Sequence, residues 1–92
     1  MARQQMHILY EGRVQGVGFR YTTKALACGF EITGTVRNLM NGTVELVAEG
    51  QREELEAFRE GIQESELGHF IRQEHITWEE PKNCFRGFEI VR

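Results

Sequence analysis

Gly12-Arg13-Val14-Gln15-Gly16-Val17-Gly18-Phe19-Arg20 follows the apolar run His7-Ile-Leu-Tyr-Glu11 and opens the helix-forming stretch Phe19 to Cys28. It joins a strand to a helix through three glycines and closes on a cation. Glycines let consecutive backbone N–H groups turn to one concave side without side-chain clash. The first turn of the helix adds unpaired donors and the positive end of its dipole. Arg20 contributes a planar fork of donors that matches phosphate or carboxylate. A cation beside a positive helix end is unfavourable by itself. Either Arg20 is an ordinary surface charge, or an anion is meant to sit between it and the helix.

Outward from this loop, the helix is expected to end near Gly29, and Ile32 to Leu39 alternates as a second strand. Asn41-Gly42 is a hairpin signal, and Thr43 to Ala48 returns as a third strand with Val44, Leu46 and Ala48 on its core face. Gly50 is expected to end that strand. Leu55, Phe58 and Ile62 then form one apolar stripe on a helix over Glu53 to Gln63, whose glutamates read as a solvated face. Arg72 to Glu80 reads as a strand with Ile76 and Trp78 on one side, stopping at Pro81, and Phe85 to Val91 as a last strand carrying Phe88 and Ile90. The order βαββαβ, with a short extra C-terminal strand, predicts an α+β ferredoxin-like split βαβ sandwich. Its antiparallel sheet is covered on one face by two helices. In that topology the first and second strands run parallel with the third between them, so the glycine loop and Asn38 emerge at the same sheet edge.

The 92 residues, 40% apolar and 27% charged, fit a single domain over 1–92 with its active site at the surface. A net charge of −3 argues against broad binding to nucleic acid or anionic membranes, leaving local cations at Arg13, Arg20, Lys24 and Arg37 to do any anion binding. The sandwich topology also serves RNA-binding domains, but the third strand has no aromatic residue and the first offers only Tyr10. Met1 to Met6 lacks a signal-peptide core and no window has the length of a transmembrane helix, so a cytoplasmic protein is expected. Cys28 and Cys84 read as ordinary buried thiols. With His7, His69 and His75 they match no ligand spacing, so no metal and no cofactor are expected. The loop lacks both the Gly-Lys-Ser/Thr ending of a nucleotide P-loop and the dinucleotide glycine spacing.

Two motifs resemble those of the acylphosphatase family: the loop Gly12 to Arg20, and Gly34-Thr35-Val36-Arg37-Asn38 leading into the Asn41-Gly42-Thr43-Val44 hairpin. The resemblance spans nearly the whole chain. It implies hydrolysis of acyl phosphates to a carboxylate and inorganic phosphate, without a metal or a covalent enzyme intermediate. By that likeness, Gln15, Gly16, Val17, Gly18, Phe19 and Arg20 would bind the phosphoryl group, and Asn38 would position the attacking water. Arg20 and Asn38 would then be the catalytic pair. Thr35 stands where the family prefers an aromatic, which bears on packing or substrate fit beside the site. Glu31 replaces an expected glycine at the end of the first helix, with Gly29 two residues earlier.

The chemistry agrees with those residue types. A carboxylate leaving group, of pKa about 4–5, departs at neutral pH without a proton donor. Phosphoryl transfer has a loose transition state, so positioning and charge neutralisation carry most of the catalysis. The side-chain carbonyl of Asn38 can accept from a water and aim it, though local chemistry alone reads Asn38 equally well as a turn residue. The expected partners are a small acyl phosphate and inorganic phosphate, the latter as product and inhibitor, for a protein acting as a monomer. The rival reading is a non-catalytic small-anion-binding or regulatory module with the same loop.

Overall fold

The computed structural model describes residues 2–92; Met1 lies outside them. Its elements are β1 (Arg3–Gly12), α1 (Phe19–Ala27), β2 (Ile32–Asn38), β3 (Val44–Gln51), α2 (Arg52–Glu64), a 3₁₀ helix (Glu66–His69), β4 (Ile71–Glu79) and β5 (Phe88–Ile90). The strands lie in the order β4-β1-β3-β2-β5. β1 is antiparallel to β3 and β4, and β2 to β3, which is the ferredoxin-like arrangement the element order predicts. β5 departs from the antiparallel rule: it pairs parallel with β2, Gly34 opposite Phe88 and Val36 opposite Ile90. β4 ends at one edge of the sheet, so the chain must cross to the other edge before β5 begins. That crossing takes up residues 80–87 and leaves three residues for the strand, fewer than Phe85 to Val91 suggests.

The period-2 and helical patterns locate the core. Met6, Ile8 and Tyr10 of β1, Val44, Leu46 and Ala48 of β3, and Leu55, Phe58 and Ile62 of α2 are all fully buried. Phe58 packs between Phe30 and Phe88, each ring centroid 5.6 Å from its own. Burial of one such side chain contributes about 1.5–3 kcal/mol. Tyr10 stacks at 5.0 Å on Phe19 beneath α1, so the one aromatic on the central strands is out of reach of a nucleic-acid base. Cys28 and Cys84 are exposed rather than buried: the first caps the solvent end of α1 and the second lies on the crossing segment.

Gly50 does not end β3, which runs on to Gln51 opposite Arg3. A Cβ at Gly50 would come within 2.9 Å of the Glu31 carbonyl, so the glycine admits the α1–β2 connection against the strand. Beside it, on the sheet face away from the helices, Glu49 is fully buried. Its carboxylate accepts from Gln5 Nε2 at 2.8 Å and from the backbone N–H groups of Lys82 at 2.6 Å and Asn83 at 3.0 Å. Burial pushes the Glu49 pKa up, but the bonds from Lys82, Gln5 and Asn83 outweigh it and hold the group below its ordinary range. Glu49 thus pins the crossing segment to the sheet.

A carboxyl group whose pKa is lowered by folding stabilises the protein above its unfolded pKa of about 4.3, and that stability is lost as pH falls through the folded value. Glu49→Gln turns an NH2 towards N–H donors and leaves at least one of them unsatisfied, at a cost of about 1–3 kcal/mol. The Tm at pH 7 should fall by more than about 4 °C. The gap between variant and wild type should narrow in acid. Thermal melts between pH 7 and 3 check this, and coincident melting curves at neutral pH would contradict it.

Candidate active site

Parallel β1 and β2, held on either side of β3, deliver Gly12 and Asn38 to the same edge of the sheet. At that edge Gly16, Gly18, Phe19, Arg20 and Asn38 line a hollow of about 100 Å³, and Val14 and Tyr21 complete its wall. The glycine loop and Asn38 are therefore neighbours. Gly16 and Gly18 have φ of 80° and 81°, left-handed values that side chains resist, and Gly18 is the N-cap of α1. Apart from the adjoining residues of the chain, no heavy atom of the described residues stands within 4 Å of where a Cβ would be at either position, so backbone conformation and not crowding calls for glycine there.

The first backbone bond after the loop runs from Thr22 N–H to Gly18 O. Among the described residues, no backbone or side-chain acceptor takes the N–H groups of residues 15–21. Open donors at a helix start, reached through left-handed glycines, are an arrangement that takes an oxyanion. Phe19 fixes this end of α1 by burying its ring in the core.

The four candidate cations separate cleanly. Arg37 donates from Nε to Glu45 Oε1 at 2.6 Å on the helix-free face, where His7 Nε2 lies 2.9 Å from Glu45 Oε2. Burial raises the Glu45 pKa, and the bonds from His7 and Arg37 outweigh it and leave it lowered. Lys24 lies 4.0 Å from Glu89, and Arg13 is not part of the hollow. Arg20 lines the hollow and, among the described residues, has no carboxylate partner. Across from it, Asn38 Oδ1 is buried without a hydrogen-bond partner. An unpaired buried carbonyl costs about 1–3 kcal/mol unless a water or ligand fills its place.

Two of the candidate phosphate-binding residues do not line the hollow. Val17 packs against the core. The Gln15 side chain turns away and donates from Nε2 to Leu39 O at 2.8 Å and to Thr43 O at 2.9 Å, so it holds the β2–β3 hairpin. Thr35 faces away from the hollow, on the side of the sheet opposite Val36 and Asn38, and so does not shape it. Tyr21 carries no sequence signal beyond following Arg20, yet it stands at the rim and is 72% exposed. A larger hollow of about 360 Å³ lies at the far end of the sheet, but Glu31, Glu53 and Glu54 in its wall would repel an anion.

Comparison with known proteins agrees with this geometry. The family model described as Acylphosphatase matches residues 6–90. The chain belongs to the acylphosphatase family. The acylphosphatase of Trichormus variabilis is 40% identical over 88 residues, covering 96% of this chain and 86% of that protein. The acylphosphatase of Thermococcus kodakarensis is 38% identical over 91 residues, 99% of both chains. The crystal structure of acylphosphatase from Bacillus subtilis superposes with a TM-score of 0.88 at 32% identity, covering 97% of this chain and 99% of that one. Family membership makes the chain a hydrolase of the acylphosphatase type.

Arg20→Lys keeps the charge and replaces a fork of donors with one rotatable ammonium. Loss of one charge-assisted bond, about 1.4 kcal/mol, should weaken inorganic phosphate binding about tenfold. Stability should stay within about 0.5 kcal/mol, because the Arg20 side chain, half-buried, makes no hydrogen bond or ion pair among the described residues that the change would break. Calorimetric titration beside a thermal melt measures both, and wild-type phosphate affinity would remove Arg20 from the anion site.

Proposed function

We propose that the chain hydrolyses acyl phosphates, with Arg20 and the backbone N–H groups of residues 15–20 holding the phosphoryl group and Asn38 positioning the attacking water. The observation that carries this reading is the pairing, in one hollow, of an unpaired guanidinium with a buried amide oxygen that lacks a partner. The first suits the phosphoryl oxygens and the second suits a water.

Water attacks phosphorus as the bond to the acyl oxygen breaks, and the products are a carboxylate and dihydrogen phosphate, which keeps both water protons. The leaving carboxylate needs no general acid, and among the described residues the wall of the hollow holds no carboxyl, imidazole or thiol. Arg20 and the loop donors neutralise charge on the equatorial oxygens. Asn38 Oδ1 accepts a hydrogen bond from the water and fixes its line of approach, a matter of orientation rather than basicity. An alkoxide leaving group would need a proton, so simple phosphate monoesters are poor substrates on this mechanism.

Inorganic phosphate would occupy the same seat and inhibit competitively. All the groups used come from one chain, in keeping with a monomer. A cytoplasmic setting belongs to this reading; no helix among the described residues is long and apolar enough to cross a membrane.

With EDTA present, wild-type protein should turn over benzoyl phosphate. Asn38→Ala should keep phosphate affinity close to wild type while kcat falls by about 100-fold or more, the pattern of an interaction made chiefly in the transition state. An Asn38→Ala variant that is folded and retains most of its kcat would make Asn38 a turn residue only. Phosphate binding by the wild type without any turnover would favour the anion-binding module.

A further inference from the structure

The geometry points to Gln15 as a positioning residue that sets Asn38 against the anion-binding loop, through two hydrogen bonds from one amide nitrogen. This inference rests on the proposed role of Asn38. The Gln15 amide spends both of its N–H groups on carbonyls of the hairpin, Leu39 O at 2.8 Å and Thr43 O at 2.9 Å. Leu39 immediately follows Asn38, and Thr43 immediately precedes the residue paired with Asn38 across the ladder, Val44. The hairpin closes on itself through Leu39 N–H to Thr43 O at 2.9 Å and Gly42 N–H to Leu39 O at 3.2 Å. Gln15 thus caps the two carbonyls at the neck of the hairpin, while its own backbone begins the loop that presents Gly16, Gly18 and Arg20.

No other side-chain hydrogen bond among the described residues joins this loop to the hairpin. Core packing of Val14, Val17 and Phe19 seats the loop, and the side-chain hydrogen bonds that tie it to the hairpin among the described residues both come from this amide. Asn38 makes no hydrogen bond through Oδ1 that could anchor its own side chain. Its aim is inherited from the backbone that Gln15 holds. A displacement of about 1 Å between reacting groups can cost about 100-fold in rate. Loss of the brace should consequently show in the water step, while the phosphate seat, built within residues 15–20, keeps its own geometry.

Gln15→Met keeps the length of the side chain and removes both donors. The expected result is a kcat for benzoyl phosphate at least about tenfold below wild type, with the inhibition constant of inorganic phosphate within about threefold of it. Amide hydrogen exchange at Leu39 and Gly42 should speed up in the same variant. A purely structural role would lower the Tm without that split between kcat and phosphate affinity. If Gln15→Met does not fold, Gln15→Glu takes its place: it is equally long and sets carboxylate oxygens against the two carbonyls, so the same split is expected. Wild-type kcat and exchange in the folded variant would overturn the inference. So would a parallel loss of kcat and phosphate affinity, which would put Gln15 in the phosphate seat. The role of Asn38 fails separately, by an inactive wild type or an active Asn38→Ala protein, and the inference then falls with it.

Discussion

The antiparallel pairing of β3 with both β1 and β2 is the constraint on which the site depends. It makes the two strands flanking β3 parallel and sets them two inter-strand spacings apart, about 10 Å. The loop leaving β1 and the last residue of β2 then face one another at a single sheet edge. A one-residue slip of β2 would turn Asn38 to the helix-free face and bring Arg37 to the hollow. Val36 and Ile32, buried on the same face as Asn38, hold that register through the core.

Within this frame the electrostatics of the site are divided by sheet face. Arg37 is satisfied by Glu45 on the open side, so its charge is neutralised although its neighbour Asn38 lines the hollow. Arg20 has no such partner and sits beside the positive end of α1, where a lone cation is disfavoured by about 0.3–1 kcal/mol. An anion bridging the guanidinium and the loop donors reverses that sign. On the same wall, Asn38 Oδ1 is buried without a protein partner, an acceptor left for a group from outside the chain.

Local periodicity and turn chemistry made most of the fold legible. The strand face Val44, Leu46, Ala48 and the helix stripe Leu55, Phe58, Ile62 follow from spacing alone, and all six are buried. The two motifs, read through the family, marked the loop and Asn38. What sequence did not reveal depends on contacts distant along the chain. Glu49 meets Gln5 and the backbone of residues 82–83, Gly50 meets the Glu31 carbonyl, and β5 finds the edge of β2 only after the chain has crossed the sheet. Gln15 is the instructive case. The family resemblance put it in the phosphate-binding loop, and only the structure shows that its side chain reaches across 24 and 28 positions to hold a hairpin.

The central claim is that an anion sits on the backbone N–H groups of the loop beside Arg20. Titration of isotope-labelled protein with inorganic phosphate, followed by amide resonances, tests it most directly. Saturable shifts should concentrate at Gly16, Gly18, Phe19 and Arg20, with smaller ones at Asn38. Shifts confined to the far hollow around Arg3 and Gln51, or none that saturate in the loop, would contradict the account.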